Sequence, residues 1–284
     1  MNKNLSVLCA TAHFLIPIFS LGYPEETTIF ISHMLPNPRT LIALLARGLG
    51  ENNELSPEQM IKGVETRTVL QWALEKNSYA TARPISPLKK SSQIQRVVWL
   101  EKTWKGKVQK DAVKMELVSL SKLVAYIFVD VDEVAESLKK YLPNIENITE
   151  RDLKLALQIT QTIGKSEGLA TPILVDVFKR ENFKVEGVKG TLNTYCPLEW
   201  IEHFNQGLKE DMLIHIRLMK KHVARPEEIK KYRRERLPFI LPLSFERGIF
   251  KPKETEVVLK SGFTIVKLPD KGKAALPLQF IQCD

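Results

Sequence analysis

The order of apolar and polar positions divides the 284-residue chain into a series of recognisable elements. An apolar run from Leu5 to Phe19 reads as a first strand. The loop ending in Pro36-Asn37-Pro38 leads into a compact helix of Leu and Ala. Pro38 suits a first helical turn because it has no amide proton to lose. Gly48 or Gly50 can take the left-handed conformation that closes a helix. Ser56-Pro57-Glu58 has the form of a cap followed by proline, and Val64 to Leu74 continues with helical spacing, so a second helix is expected there. Residues 77 to 114 hold two extended pieces around Pro84 and Pro87, with polar and apolar residues alternating over Gln93–Trp99. Leu117 to Val131, rich in Val, Ile, Tyr and Phe, is the clearest strand in the chain. Thr149-Glu150-Arg151-Asp152 has the form of a capping box with Asp in place of Glu. Leu153, Ala156, Leu157, Thr160 and Ile163 then line one helical face, with Gly164 as a stop, and Leu169 to Phe178 is another strand.

This order over residues 1–185 (strand, helix, insertion, strand, helix, strand) predicts the α+β class. It suits a ferredoxin-like β-α-β fold elaborated by a β-hairpin at about 77–114. Residues 186–284 read as a C-terminal extension of mixed helical and β character. In it, Glu199–Arg236 is largely helical in pattern, and Pro238–Phe280 alternates like short antiparallel strands with turns at Gly248, Gly262 and Gly272.

Charge sharpens this picture. The formal net charge is +9, and it is concentrated in two segments. Lys89, Lys90, Arg96, Lys102, Lys105, Lys107, Lys110 and Lys114 face only Glu101 and Asp111 in the inserted hairpin. Arg217–Arg236 carries nine basic residues, among them Arg233 and Arg234, against Glu227, Glu228 and Glu235. Each segment is about +6, so the rest of the chain is slightly acidic, and a polyanionic partner is implied. Trp99 and Trp104 lie among the hairpin cations, either stacking on unpaired bases or turned to the core.

Other chemistries find little support. Cys9, Cys196 and Cys283 lack metal-ligand or redox spacing, the five histidines are scattered, and Gly-x-Ser-x-Gly is absent. No metal and no cofactor is expected. Gly164-Lys165-Ser166-Glu167-Gly168 reads either as a helix stop and turn or as a glycine-flanked loop whose amides and Lys165 approach a phosphate. Lys221-His222 with a tyrosine such as Tyr79 would supply the base and cation for metal-independent RNA cleavage, although nothing in the sequence brings them together, and this keeps an endoribonuclease as an alternative. Lys3 followed by Leu5–Leu21 has the outline of an export signal, so an exported basic protein is a second alternative. His13 and Pro17 interrupt that run and no small-x-small site precedes Gly22, so a cytoplasmic location is expected. No stretch suits a membrane span.

Four segments in order carry a resemblance: Ala12-His13-Phe14, then Pro36-Asn37-Pro38-Arg39-Thr40-Leu41 running to Ala46-Arg47-Gly48-Leu49-Gly50, then Ala80-Thr81-Ala82-Arg83-Pro84, and Ile163-Gly164-Lys165-Ser166-Glu167-Gly168-Leu169. Over roughly residues 5–180 the chain resembles the CRISPR-associated protein 5 family of type I Cascade complexes, most closely its archaeal type I-A branch. The resemblance implies an RRM-like domain with a protruding hairpin thumb. The implied role is antiviral: gripping the repeat-derived 5′ handle of the guide RNA (crRNA) and capping the filament of backbone subunits beside the large subunit. Target DNA and the helicase-nuclease would be met only indirectly. By motif position it implies RNA contact at Arg39, Thr40, Gly164, Lys165, Ser166 and Gly168, and thumb function for 77–114. It implies no catalytic residue, because no tyrosine-lysine-histidine set aligns with the processing enzymes of the type I-C branch.

Overall fold

The computed structural model describes residues 6–21, 29–98, 110–163, 169–219, 223–232 and 234–281. Its first part contains β1 (Val7–Leu15), β2 (Ile29–Phe30), α1 (Pro38–Asn52), β3 (Met60–Ile61), β4 (Val64–Glu65), α2 (Thr66–Asn77), β5 (Ser78–Pro84), β6 (Leu88–Val98), β7 (Lys110–Leu120), β8 (Lys122–Asp130), α3 (Val131–Lys139), α4 (Glu150–Gln158) and β9 (Thr171–Lys179). The remainder is built from short strands: β10 (Lys184–Gly187), β11 (Lys189–Leu192), β12 (Cys196–Pro197), β13 (Ile201–Phe204), β14 (Leu208–Leu213), β15 (Arg236–Leu241), β16 (Leu243–Glu246), β17 (Ile249–Pro252), β18 (Thr255–Leu259), β19 (Phe263–Lys267) and β20 (Lys273–Pro277). The architecture is therefore mixed and strand-rich, with several antiparallel sheets.

At the centre lies a four-stranded sheet in the order β5-β8-β1-β9, with every neighbouring pair antiparallel. Helices α1 and α2 connect β1 to β5, and α3 and α4 connect β8 to β9. Alternation along β1 sends Ala10, Ala12 and Phe14 to one face and Cys9, Thr11 and His13 to the other. The first face packs beneath the helices. On the second, the row Asp176–Thr11–Tyr126–Thr81 runs across all four strands in register.

That second face is covered by the C-terminal strands. Tyr79 packs on Trp200 with ring centroids 5.0 Å apart, and Phe128 meets Phe183 edge-on at 5.8 Å. Thr81 Oγ1 donates to the Tyr195 carbonyl at 2.7 Å, and Tyr195 Oη donates to the Pro36 carbonyl at 2.9 Å. One hydrophobic cluster runs without interruption from Val7 to Ile281.

Local chemistry explains most element boundaries. Asn37 Oδ1 accepts the Thr40 amide at 2.9 Å and Pro38 opens α1, an arrangement worth about 1 kcal/mol. The reciprocal box expected at Thr149 is present, with Thr149 N donating to Asp152 Oδ2 at 2.8 Å and Asp152 N to Thr149 Oγ1 at 3.3 Å.

Other boundaries differ from the sequence reading. Gly48 and Gly50 do not close α1, which continues to Asn52. Gly48 is instead the point where α1 touches α4: a Cβ there would lie 2.0 Å from the Ala156 carbonyl oxygen. Ser56-Pro57 does not start a helix, because residues 60–65 form the small β3–β4 ribbon around Gly63 (φ +80°) and α2 begins at Thr66. The long strand read over Leu117–Val131 is two strands broken at Ser121, where Ser86 Oγ accepts the amides of Ser121 and Lys122 at 3.0 and 2.9 Å. Helix α3 was missed. Its signals were Asp130, whose carboxylate accepts the Glu133 amide at 3.2 Å, and the spacing of Val131, Val134, Ala135 and Leu138. Glu199–Arg236 holds no α-helix among the described residues; two β-strands and 3-10 turns occupy it, with Arg217, Lys230 and Lys231 in those turns.

Candidate nucleic-acid interface

The basic insertion is an antiparallel hairpin of β6 and β7, paired in unbroken register from Leu88↔Leu120 to Val98↔Lys110. Its root is anchored by Leu88, Val118 and Leu120, all buried in the core, and by a backbone bridge from Phe19 to Val118. Among the described residues it does not stand alone. Strands β16 and β17 of the C-terminal part join it in a five-stranded sheet ordered β16-β17-β6-β7-β2, with Phe250 paired to Leu88.

The residues expected to meet RNA fall into three groups. Lys89 is exposed on β6, while Lys90 is half-buried and forms an ion pair with Glu116 at 3.2 Å. Arg96 sits in the same strand with its backbone paired to Ala112, and Arg234 is exposed. Lys102, Lys105, Lys107, Trp99 and Trp104 lie outside the described residues. So do Gly164, Lys165, Ser166 and Gly168, and likewise Arg233, Lys221 and His222. The flanks of 164–168 are held together, with a bridge between Thr162 and Leu169 and the Ala170 amide donating to the Gln161 carbonyl at 2.9 Å.

Arg39 and Thr40 have internal partners. The Arg39 guanidinium is buried, with Nε 2.9 Å from Glu75 Oε1 and Nη1 donating to the Tyr232 carbonyl at 3.1 Å. Gln71 donates a further hydrogen bond of 2.6 Å to the same Glu75 oxygen. Burial raises the Glu75 carboxyl above its ordinary range, and Arg39 opposes that shift. Thr40 Oγ1 lies 3.1 Å from Asn37 Oδ1, so Thr40 belongs to the helix cap.

Tyr79 is equally internal. It is stacked in the core against Phe128, Trp200 and His215, and burial pushes its phenol well above the ordinary value. His215 is buried too, and desolvation lowers its imidazole to about 3, so it stays neutral.

A polar cluster ties the C-terminal part to the open face of the sheet. Asp270 Oδ2 accepts from Tyr126 Oη at 2.7 Å and from Arg83 Nη2 at 3.5 Å, and His13 Nε2 lies 3.8 Å away. Burial depresses the His13 imidazole, against the pull of Asp270. The sequence singled out His13 and Arg83 only as parts of motifs; nothing in it paired them with Asp270, the distant residue that closes the cluster. Among the described residues no group of three His, Cys, Asp or Glu side chains could hold a metal ion, and no helix is long and apolar enough to cross a membrane.

No protein-family model and no curated protein matches this chain. Among solved structures, similarity extends to a CRISPR protein from Archaeoglobus fulgidus, at 10% identity over 95% of this chain and 99% of that one, with a TM-score of 0.49. A chain of a CRISPR RNA-guided surveillance complex aligns at 9% identity over 96% of this chain and 92% of its own, with a TM-score of 0.38. A chain of a type III-B Cmr-beta complex bound to cognate target RNA aligns at 14% identity over 62% of each chain, with a TM-score of 0.36. These neighbours include chains of CRISPR proteins.

Proposed function

We propose that this chain is a non-catalytic, RNA-binding subunit of a CRISPR effector complex, in the manner of the protein 5 subunits of type I Cascade. In this reading it holds the 5′ handle of the guide RNA and caps the filament of backbone subunits beside the large subunit. The observation that carries it is the central antiparallel sheet ordered β5-β8-β1-β9, with a basic hairpin inserted between β5 and β8. This strand order suits a ferredoxin-like, RRM-type domain, and the resemblance reads the inserted hairpin as a thumb. The face of the sheet that RRM domains use for stacking bases is covered here by Trp200, Tyr195 and Asp270. RNA therefore meets the hairpin sheet and the loop at 164–168 rather than the central strands.

The test is metal-free incubation of the purified chain with labelled repeat RNA, with and without the 5′ handle, across a salt series. Binding without cleavage, strongest for handle-bearing RNA, is the expected result. Removing the charges of Lys102, Lys105 and Lys107 should then weaken binding and flatten the slope of log affinity against log salt by about 2, at about 0.7 per single-strand phosphate contact. Unchanged binding across the salt series would remove the hairpin from the interface. Cleavage lost on changing His222 would establish the endoribonuclease instead.

A further inference from the structure

A cleft of about 280 Å³ lies where β5 passes into the basic hairpin. The link itself, through Arg83 and Pro84, forms one wall. The pairing of Phe250 with Leu88 brings the end of β17, Pro252 and Lys253, alongside that link, and the turn between β19 and β20 adds Asp270 and Lys271. Pro84, Pro242 and Pro252 have no amide proton to offer a ligand. No aromatic ring lines the cleft among the described residues, so its charged side chains decide what it can hold.

The side-chain acceptors in the cleft are already used. Asp270 Oδ1 accepts the Gly272 amide at 3.0 Å, and Oδ2 accepts from Tyr126 and Arg83. The Glu254 carboxylate accepts from Lys273 Nζ at 3.0 and 3.3 Å, and Asn193 Oδ1 accepts the Lys273 amide at 2.8 Å. What is left over are donors. Arg83 Nε is buried without a hydrogen-bond partner. Lys253 and Lys271 are exposed, and neither ammonium group has a partner among the described residues. With Lys273, four cations stand against the two carboxylates, in a concavity whose apolar walls focus their field.

The backbone at Lys271 is a second, independent observation. Its φ of +69° lies in the left-handed region that favours glycine, so a lysine there is strained. Strain of this kind persists where a side chain is needed in that position. Spare cationic donors, filled acceptors and no ring to stack on a base together suit an oxyanion. The cleft lies at the root of the hairpin assigned to RNA, so the backbone of that RNA is the source of the oxyanion, met without reading its sequence.

Resting on the proposed role in RNA binding, we infer that this cleft holds one phosphodiester group of the bound RNA. Lys253 and Lys271 meet its oxygens, and Arg83 supplies the charge behind them.

Fluorescence anisotropy of the full chain with labelled handle-bearing RNA and labelled oligouridylate, across a salt series, tests this beside calorimetric titration with inorganic phosphate. Lys271→Gly relieves the backbone strain and Lys253→Gln changes an exposed side chain, so both variants should melt no lower than the parent. Each should flatten the slope of log affinity against log salt by about 0.7, and the double variant by about 1.4, equally for both RNAs. Lys253→Arg keeps the charge and should keep the parent slope. Parent slopes in the double variant would overturn the inference while the broader RNA-binding reading stands. Inorganic phosphate binding that the double variant loses, with RNA slopes unchanged, would make this a site for free phosphate and overturn it equally. Failure of the parent chain to bind either RNA at low salt overturns both readings.

Discussion

Replacing Gly48 by alanine adds one methyl group at the crossing of α1 and α4. An ideal Cβ there would sit 2.0 Å from the Ala156 carbonyl oxygen, 2.6 Å from its carbon and 2.7 Å from its Cα. Ordinary van der Waals contact begins at 3.4 Å, so the helices must separate by about 1.4 Å, and in a close-packed interior no flexible side-chain end can absorb that shift. Overpacking a core costs about 1–3 kcal/mol, and a clash with backbone belongs at or above the top of that range. Alanine returns about 1 kcal/mol of helix propensity over glycine. The net expectation is a loss of about 2 kcal/mol or more. Gly50, two residues further along the same helix, is the control: its Cβ would meet only the Leu70 Cδ1 methyl at 3.2 Å, a side-chain tip that can move. Urea unfolding followed by circular dichroism should place Gly48→Ala well below the parent and Gly50→Ala within about 1 kcal/mol of it. Equal midpoints for the two alanine variants would refute the crossing and return Gly48 to the status of an ordinary helical residue. Under the proposed RNA-binding role, Gly48→Ala, which disturbs the helix that precedes residues 164–168 in the sequence, should weaken handle binding more than Gly50→Ala does.

Two further perturbations probe the interior. His215 has a folded-state value near 3 against 6.5 for a free imidazole, so its contribution to stability is complete above pH 6.5 and is lost as the pH falls towards 3. His215→Phe should remove up to about 1.4 kcal/mol per pH unit of that slope. Glu75 and Asp130, both raised by burial, titrate with the opposite sign, so the difference between variant and parent in unfolding across pH 4–7 is the quantity to measure; an unchanged difference would place His215 in water. Asp270→Ala removes the acceptor of Tyr126 Oη and of the Gly272 amide, while Arg83 Nη2 keeps the Asp270 carbonyl at 3.2 Å, and should cost about 1.5–3 kcal/mol, whereas Asp270→Asn should keep the Tyr126 hydrogen bond and lose less. Thermal melts that rank the two variants in the reverse order would exclude the cluster as a clamp.

Local chemistry made much of the N-terminal part legible in the sequence. The Asn37-Pro38 start of α1, the Thr149–Asp152 box and the alternating strands are written within a few residues of each other, so they can be read without tertiary information. The errors arose where a distant partner decides. Gly48 reads as a terminator until Ala156, more than a hundred residues away, is known to lie against it. Nothing near Arg39 in the sequence names Glu75 or Tyr232, the partners that hold its guanidinium. The segment Glu199–Arg236 alternates too weakly for its strands to be told from helix, because each strand is six residues or fewer and is held by pairing with β15 or β18.

The clamp at Asp270 also bears on how the chain folds as it leaves the ribosome. Asp270 is 144 residues downstream of Tyr126, and at about 5–20 residues per second it is synthesised on the order of 10 s later. For that interval Tyr126 lacks its partner, whereas Phe128 and Tyr79 gain cover earlier, once Phe183 and Trp200 are made. Closing such distant pairs is slow, because chain entropy is lost before the contacts form. Newly made chains should therefore depend on holding chaperones more than completed ones, and early termination should direct them towards aggregation rather than towards a smaller stable domain.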